Sequence, residues 1–253
     1  MGLIKNQGEI AGIRAACRIA ATVLEEIGAQ VRPGITTAEL DVYAADRIKA
    51  RGARSAFLGY RGFPKHTCLS VNEEVVHGLA GARRLQFGDI ISVDVGVLFR
   101  GFVGDTASTF AVGGCEPAVQ RLMDVTLESL GRGIAQARGG SRIVEISRAV
   151  QEAVEIAGFS VVREFVGHGV GLAVHEEPQV PNFVESGGRS PRLKPGMTIA
   201  IEPMVNAGRR DVRVLNDGWT VVTADGKLSA HFEHTVLVTD GGPEILTCRE
   251  KTP

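Results

Sequence analysis

Several common features are scarce or missing in these 253 residues. The four cysteines (Cys17, Cys68, Cys115, Cys248) are far apart and form no Cys-x-x-Cys pair, so the chain reads as a reduced, intracellular, cytoplasmic protein. The formal charge is −1 and no block of one sign occurs, which argues against nucleic acid or a membrane surface as an obligatory partner. No window approaches about 18 uninterrupted apolar residues, so no membrane span is expected. Lys5, Glu9, Arg14 and Arg18 break every apolar run near the N-terminus, so no secretory leader is expected. Met1-Gly2 invites a myristoylation reading, but Asn6 stands where that signal needs Ser or Thr. Aromatics make up only 5%, which makes the clustering of Phe57, Tyr60 and Phe63 conspicuous, although alone it reads as core packing.

What is present suffices for a sizeable core: 44% of residues are hydrophobic and the mean hydropathy is +0.08. Residues 8–30 carry Ile10, Ile13, Cys17, Ala20, Leu24 and Ile27 at three- and four-residue steps, predicting an amphipathic helix. Thr36-x-x-Glu39 is a capping box for a second helix, with Leu40, Ala44 and Ile48 on one face and Gly52 as its stop. Short strands in an irregular region are expected over 53–88. Pro117 opens a third helix bearing Val119, Leu122, Met123, Thr126, Leu127 and Leu130. Ser141 is expected to cap a fourth, with Val144, Ala149, Val150 and Val154 inside and Gly158 as its stop. Strand-like runs follow at 160–166, 197–205, 219–224 and 231–239, with a loop rich in Pro, Gly and Ser at 176–196.

The order repeats. At an offset of 106, Arg32 meets Arg138, Gly34 meets Gly140, Glu39 meets Glu145, Leu40 meets Ile146, Ile48 meets Val154 and Gly52 meets Gly158. Helices followed by strands in each half predict an α+β fold with pseudo-two-fold symmetry, helices packed on one face of a mainly antiparallel sheet. No linker divides the chain, so residues 1–253 read as a single domain with halves at about 8–112 and 116–247.

The first half centres on Ile91-Ser-Val-Asp94-Val-Gly-Val-Leu-Phe-Arg100-Gly-Phe-Val-Gly-Asp105-Thr106, two apolar runs separated by Arg100-Gly101. A two-residue turn there sets Phe99 opposite Phe102 and Asp105 opposite Gly96, with Asp94 a diagonal neighbour on the same face. Two buried carboxylates that close repel, and a divalent cation removes the conflict. A one-residue change in the turn would separate them. The second half offers Glu202 at the end of an apolar strand, Glu233 inside another, and His168 framed by glycines in Phe165-Val-Gly-His-Gly-Val-Gly. A Glu in such a run is costly to bury unless paired or bound to metal. Four carboxylates with one imidazole are too oxygen-rich for structural zinc. The set suits two adjacent metals, of which Mn, Fe, Co and Zn all accept such ligands, and it implies hydrolysis by an acidified water.

Those residues resemble the five metal ligands of the methionine aminopeptidases, metallopeptidases of the pita-bread fold. The resemblance extends through Val-Asn72-Glu-Glu-Val-Val-His77-Gly, Gly167-His-Gly-Val-Gly-x-x-x-His175-Glu-Glu-Pro, Ile-Glu202-Pro-Met and Phe-Glu233-His-Thr, and covers about residues 8–247. No zinc-finger extension precedes it, and the 34-residue separation of His168 from Glu202 leaves no room for the helical insert of type II enzymes, so the chain looks like a bacterial type I enzyme. The resemblance implies removal of the initiator methionine from nascent polypeptides near the ribosome, by a monomer, when the second residue is small. It implies that Asp94 and Asp105 bind one metal and Asp105, His168, Glu202 and Glu233 the other. Glu202 would also shuttle a proton, His77 contact the scissile amide and His175 its carbonyl oxygen. Tyr60, Phe63, Cys68 and Trp219 would line the methionine pocket, with Phe57 and Val174 at its edges. Asn72 and Ser229 match positions that hold a monovalent cation in some relatives. Relatives often carry Cys where Phe57 stands, His for Arg61, Tyr for Phe63 and Phe for Val174, so the pocket rim is expected to differ. The alternatives are a proline-specific peptidase of the prolidase or aminopeptidase P type, whose large N-terminal domain does not fit the 93 residues before Asp94, and a non-catalytic binding protein of the same fold.

Overall fold

The central hairpin forms in the expected register. In the computed structural model, which describes residues 3–185, 187 and 190–248, Phe99 pairs with Phe102 and Gly96 with Asp105. Arg100 (φ 51°) and Gly101 (φ 85°) make the two-residue turn, whose backbone twist matches that of the strands. Met1 and Gly2 lie outside the described residues.

The first half comprises α1 (Gln7–Gly28), α2 (Thr37–Ala50), β1 (Arg54–Ser55), β2 (Cys68–Val71), β3 (Glu74–Val76), β4 (Ile90–Phe99) and β5 (Phe102–Ala111), with a 3-10 turn at Tyr60–Gly62. The second comprises α3 (Pro117–Ala135), α4 (Ile143–Ile156), β6 (Ser160–Val161), β7 (Gly167–Gly169), β8 (Glu176–Val180), β9 (Thr198–Ile201), β10 (Met204–Asn206), β11 (Val212–Val214), β12 (Val221–Thr223), β13 (Ser229–His231), β14 (Glu233–Leu237) and β15 (Glu244–Ile245). Among the described residues the main sheet runs β1-β4-β5-β14-β9-β7-β8, with β2 also on β4 and β15 on β14. Its ladders are antiparallel, and β5 and β14 join the halves. The α+β class and the mainly antiparallel sheet therefore hold.

The repeat recurs in hydrogen bonds, at an offset of 106 in the helical segments and 108 for their Leu85 and Leu193 partners. Gly34 N–H donates to Leu85 O at 2.8 Å, and Gly140 N–H to Leu193 O at 2.9 Å. Leu85 N–H donates to Ile35 O and Leu193 N–H to Ser141 O. Glu39 accepts from the Thr36 backbone and Glu145 from the Arg142 backbone. Each half carries its own apolar core, one around Ile27, Leu40, Leu85 and Ile91, the other around Leu122, Ile146, Leu193 and Ile199.

Local expectations fail in four places. The cap of α4 is Arg142 rather than Ser141, and Ser190 Oγ reaches in from the following loop to accept from Val144 N at 2.8 Å. Leu127 is 49% exposed, off the buried face of α3. The run 197–205 is two strands broken at Glu202-Pro203, because proline has no N–H for the ladder. Strand β8 lies inside the segment read as loop.

Candidate active site

Sheet register brings the acidic residues together. Across β2, β4, β5 and β14, Cys68 pairs with Asp94, Asp94 with Ala107, and Ala107 with Glu233. Residues directly opposite in a ladder share a face, and so do residues two apart on one strand. Asp105, two before Ala107, therefore joins Asp94 and Glu233. Glu202 follows β9, whose Ile201 pairs with His234 next to Glu233. His168 stands on β7, where Gly167 and Gly169 permit close approach. A Cβ on Gly167 would lie 2.3 Å from Ala200 O, and one on Gly169 2.2 Å from Glu177 O.

These side chains converge on a cavity of about 250 Å³. Ligand atoms of Asp105, His168 and Glu233 all lie within 4.8 Å of one another. Asp94 Oδ1, Asp105 Oδ1, Glu202 Oε1 and Glu233 Oε1 are buried without a hydrogen-bond partner. Burial raises the Asp94 carboxyl to about 7. Burial first, then the neighbouring carboxylates, raises Asp105, Glu202 and Glu233 well above the usual range. His168 Nδ1 lies 2.9 Å from Gly169 O, which can only accept, so Nδ1 carries the proton and Nε2 presents a lone pair. That lone pair faces Glu202 Oε1 at 3.3 Å. Two acceptors so placed call for a cation between them. Orphaned carboxylate oxygens, a fixed imidazole tautomer and a mixed oxygen–nitrogen donor set thus fit divalent metal.

The remaining expected residues surround this floor. His77 lies at φ 58°, a left-handed conformation costly for a residue with a side chain, and sits edge-on to Phe165 at 5.4 Å. Burial depresses its imidazole to about 4. His175 Nδ1 is 2.9 Å from Tyr60 Oη, and its ring lies 4.2 Å from that of His168. Phe57, Tyr60, Phe63, Cys68 and Trp219 form an apolar wall, with Phe63 edge-on to Trp219 at 5.1 Å. Val174 is not among the residues lining the cavity; it is buried in the same apolar cluster as Phe57, Phe63 and Cys68, at the edge of this wall. Asn72 and Ser229 are joined by an N–H···O bond of 2.9 Å from Ser229 N to Asn72 O, away from the cavity.

Sequence reasoning passed over His231, Met204, Phe165 and Val76, all of which line the cavity. His231 is buried, its Nε2 lacks a hydrogen bond and lies 3.8 Å from Glu202 Oε2. The signal was its place two residues before Glu233, at the end of a strand already read as apolar.

A family model described as metallopeptidase family M24 matches residues 11–240. The chain is 51% identical to a methionine aminopeptidase of Clostridium perfringens, over 98% of this chain and 99% of that one. It is 49% identical to one of Escherichia coli, over 98% and 94%. The crystal structure of a methionine aminopeptidase from Thermotoga maritima superposes with a TM-score of 0.94 at 44% identity, covering 97% of this chain and 99% of that one. A prolidase from Pyrococcus furiosus, at 24% identity and a TM-score of 0.78, covers 98% of this chain and 66% of its own and shares the fold alone.

Proposed function

The chain belongs to metallopeptidase family M24 and, within it, to the bacterial-type methionine aminopeptidases, and from that premise we propose how its site works. It is a metal-dependent hydrolase that removes the N-terminal methionine from polypeptides, favouring a small second residue. The observation that carries the reading is that four carboxylates, each with a sealed and unpartnered oxygen, line one cavity with His168, whose Nε2 presents a lone pair.

Asp94, Asp105, His168, Glu202 and Glu233 would hold the two divalent ions. When bound, such ions supply Lewis acidity that polarises a carbonyl and acidifies water. The other contributions come from side chains. With the Tyr60 hydroxyl, 2.9 Å away, as donor to His175 Nδ1, the neutral ring keeps its proton on Nε2, a donor for the carbonyl oxygen as charge develops there. Glu202 takes the proton of the attacking water on its carboxylate and passes it to the leaving amine. His77, neutral and fixed by its backbone, contacts the scissile amide. The methionine side chain packs against Tyr60, Phe63, Cys68 and Trp219, where a thioether gains from ring edges. Phe57, whose ring closes on Gly96, narrows that wall. The products are free methionine and a polypeptide one residue shorter.

The whole chain, 1–253, reads as one catalytic domain, since the site draws Asp94 and Asp105 from one half and His168, Glu202 and Glu233 from the other. Asn72 and Ser229 would hold a monovalent cation. The cellular setting proposed is the cytoplasm, on nascent chains near the ribosome, as a monomer; no helix among the described residues is long and apolar enough to cross a membrane. The test is a metal-supplemented assay of Met-Ala-Ser beside a Gly-Pro peptide. Release of methionine from the first alone is expected. Cleavage of Gly-Pro instead would make the protein a proline-specific peptidase, and turnover of neither would leave a binding protein.

A further inference from the structure

Any polypeptide whose first residue lies at the carboxylate floor must leave the cavity through its mouth. Of the residues lining the cavity, only Arg61 and His175 are exposed, so they mark that mouth. Arg61 is also the only lysine or arginine among them. Its placement is built rather than incidental. Arg61 sits at φ 50°, a conformation a side-chain-bearing residue rarely adopts, between Gly59 at 82° and Gly62 at 89°. The turn is closed by Gly59 N donating to Phe63 O at 2.8 Å and Phe63 N to Tyr60 O at 2.9 Å. The guanidinium is thereby held over the Tyr60 ring, with Cζ 5.4 Å from the centroid, and Tyr60 in turn bonds His175. Among the described residues no carboxylate pairs with Arg61. A cation held over Tyr60, with no carboxylate partner among the described residues, stands where the substrate chain departs.

Resting on the methionine aminopeptidase reading, we propose that Arg61 is a specificity determinant that favours substrates carrying Asp or Glu at the third residue. The second residue is small and lies under His175 at the scissile bond. In an extended chain successive side chains alternate in direction, so the third is the first free to turn toward the rim. Lysine or arginine there meets like charge. The interaction is solvent-exposed, so its expected size is a few-fold rather than orders of magnitude.

The experiment compares kcat/KM on Met-Ala-Asp-Ser-amide and Met-Ala-Lys-Ser-amide at low ionic strength; the amide removes the competing terminal carboxylate. Wild type is expected to favour the Asp peptide by about three- to fivefold. Arg61→Gln should bring the ratio near one, Arg61→Glu should invert it, and about 0.5 M salt should flatten it in wild type. Because the ratio is internal to each variant, an overall loss of rate does not blur it. A ratio that stays put in Arg61→Glu, or a wild type with no preference for Asp, overturns the inference. Failure of wild type to release methionine from uncharged Met-Ala-Ser-Ser-amide would instead overturn the reading beneath it.

Discussion

Replacing Asp94 by Asn is expected to stabilise the metal-free protein while impairing the enzyme. Asp94 Oδ1 is sealed from solvent without a partner, and burial raises the carboxyl from 3.8 to about 7. A group whose folded pKa is raised is more easily protonated in the folded chain than in the unfolded one. Its contribution is intact below the unfolded value and is lost as the pH rises through the folded value. Above about pH 7 the loss is complete, and about three units at 1.36 kcal/mol each make it about 4 kcal/mol. Asn fills the same space without the charge, so stripped Asp94→Asn should exceed stripped wild type by up to about 4 kcal/mol at pH 8, and by less than half of that at pH 5. For a chain of this size about 4 kcal/mol corresponds to roughly 10 °C in melting temperature. Metal narrows the gap: at a hundred times its Kd it adds about 2.7 kcal/mol to wild type and less to a variant short of a ligand. Thermal melts of both proteins after chelator treatment, at the two pH values and with and without Mn²⁺, measure all of this. The reasoning fails if stripped Asp94→Asn melts at or below stripped wild type at pH 8.

Three further outcomes are expected. His175→Ala should lower kcat by about 10²–10³ with little change in KM, because its donor matters only as charge develops on the carbonyl oxygen, and calorimetry should show metal affinity intact. Gly104→Ala would set a Cβ 2.4 Å from Cys17 N, on the backbone of α1, which cannot swing aside; a loss of about 1–3 kcal/mol or more should appear in chemical denaturation. Lys5 Nζ meets Glu176 Oε2 at 2.5 Å with both side chains nearly sealed, and Glu176 Oε1 also accepts from Leu172 N and Ala173 N just before His175. Lys5→Met should therefore cost about 3–5 kcal/mol, read as a lower melting temperature.

The elements legible in the sequence were those whose signal is local and long. Twenty-two residues of helical period, a capping box and a ten-residue strand on each side of Arg100-Gly101 each specify themselves, and the hairpin register followed from the turn. The second half was read less well because its strands are two to five residues long and take their pairing from neighbours far away in the chain. Strand β8, in a segment rich in proline and glycine, forms because β7 lies beside it. Leu127 met the helical period yet faces solvent, since period marks a stripe and not its edges. The five carboxylate and imidazole residues were legible because burying charge in apolar runs demands an explanation. His231 was not, because a histidine at a strand end raises no such demand until Glu202 is seen 3.8 Å away. Val174, beside His175, packs in the same cluster as Phe57, Phe63 and Cys68, so its place at the edge of the wall followed from its neighbour in the chain.

The central claim, that the two halves close a metal cage for hydrolysis of the bond after an N-terminal methionine, is tested most directly by one titration. Chelator-stripped protein is mixed anaerobically with increasing Mn²⁺ and Met-Ala-Ser, and released methionine is measured. The account expects no methionine from stripped protein, and release that rises with added metal and saturates within a few equivalents. Undiminished release from stripped protein, or none at any metal concentration, would contradict it.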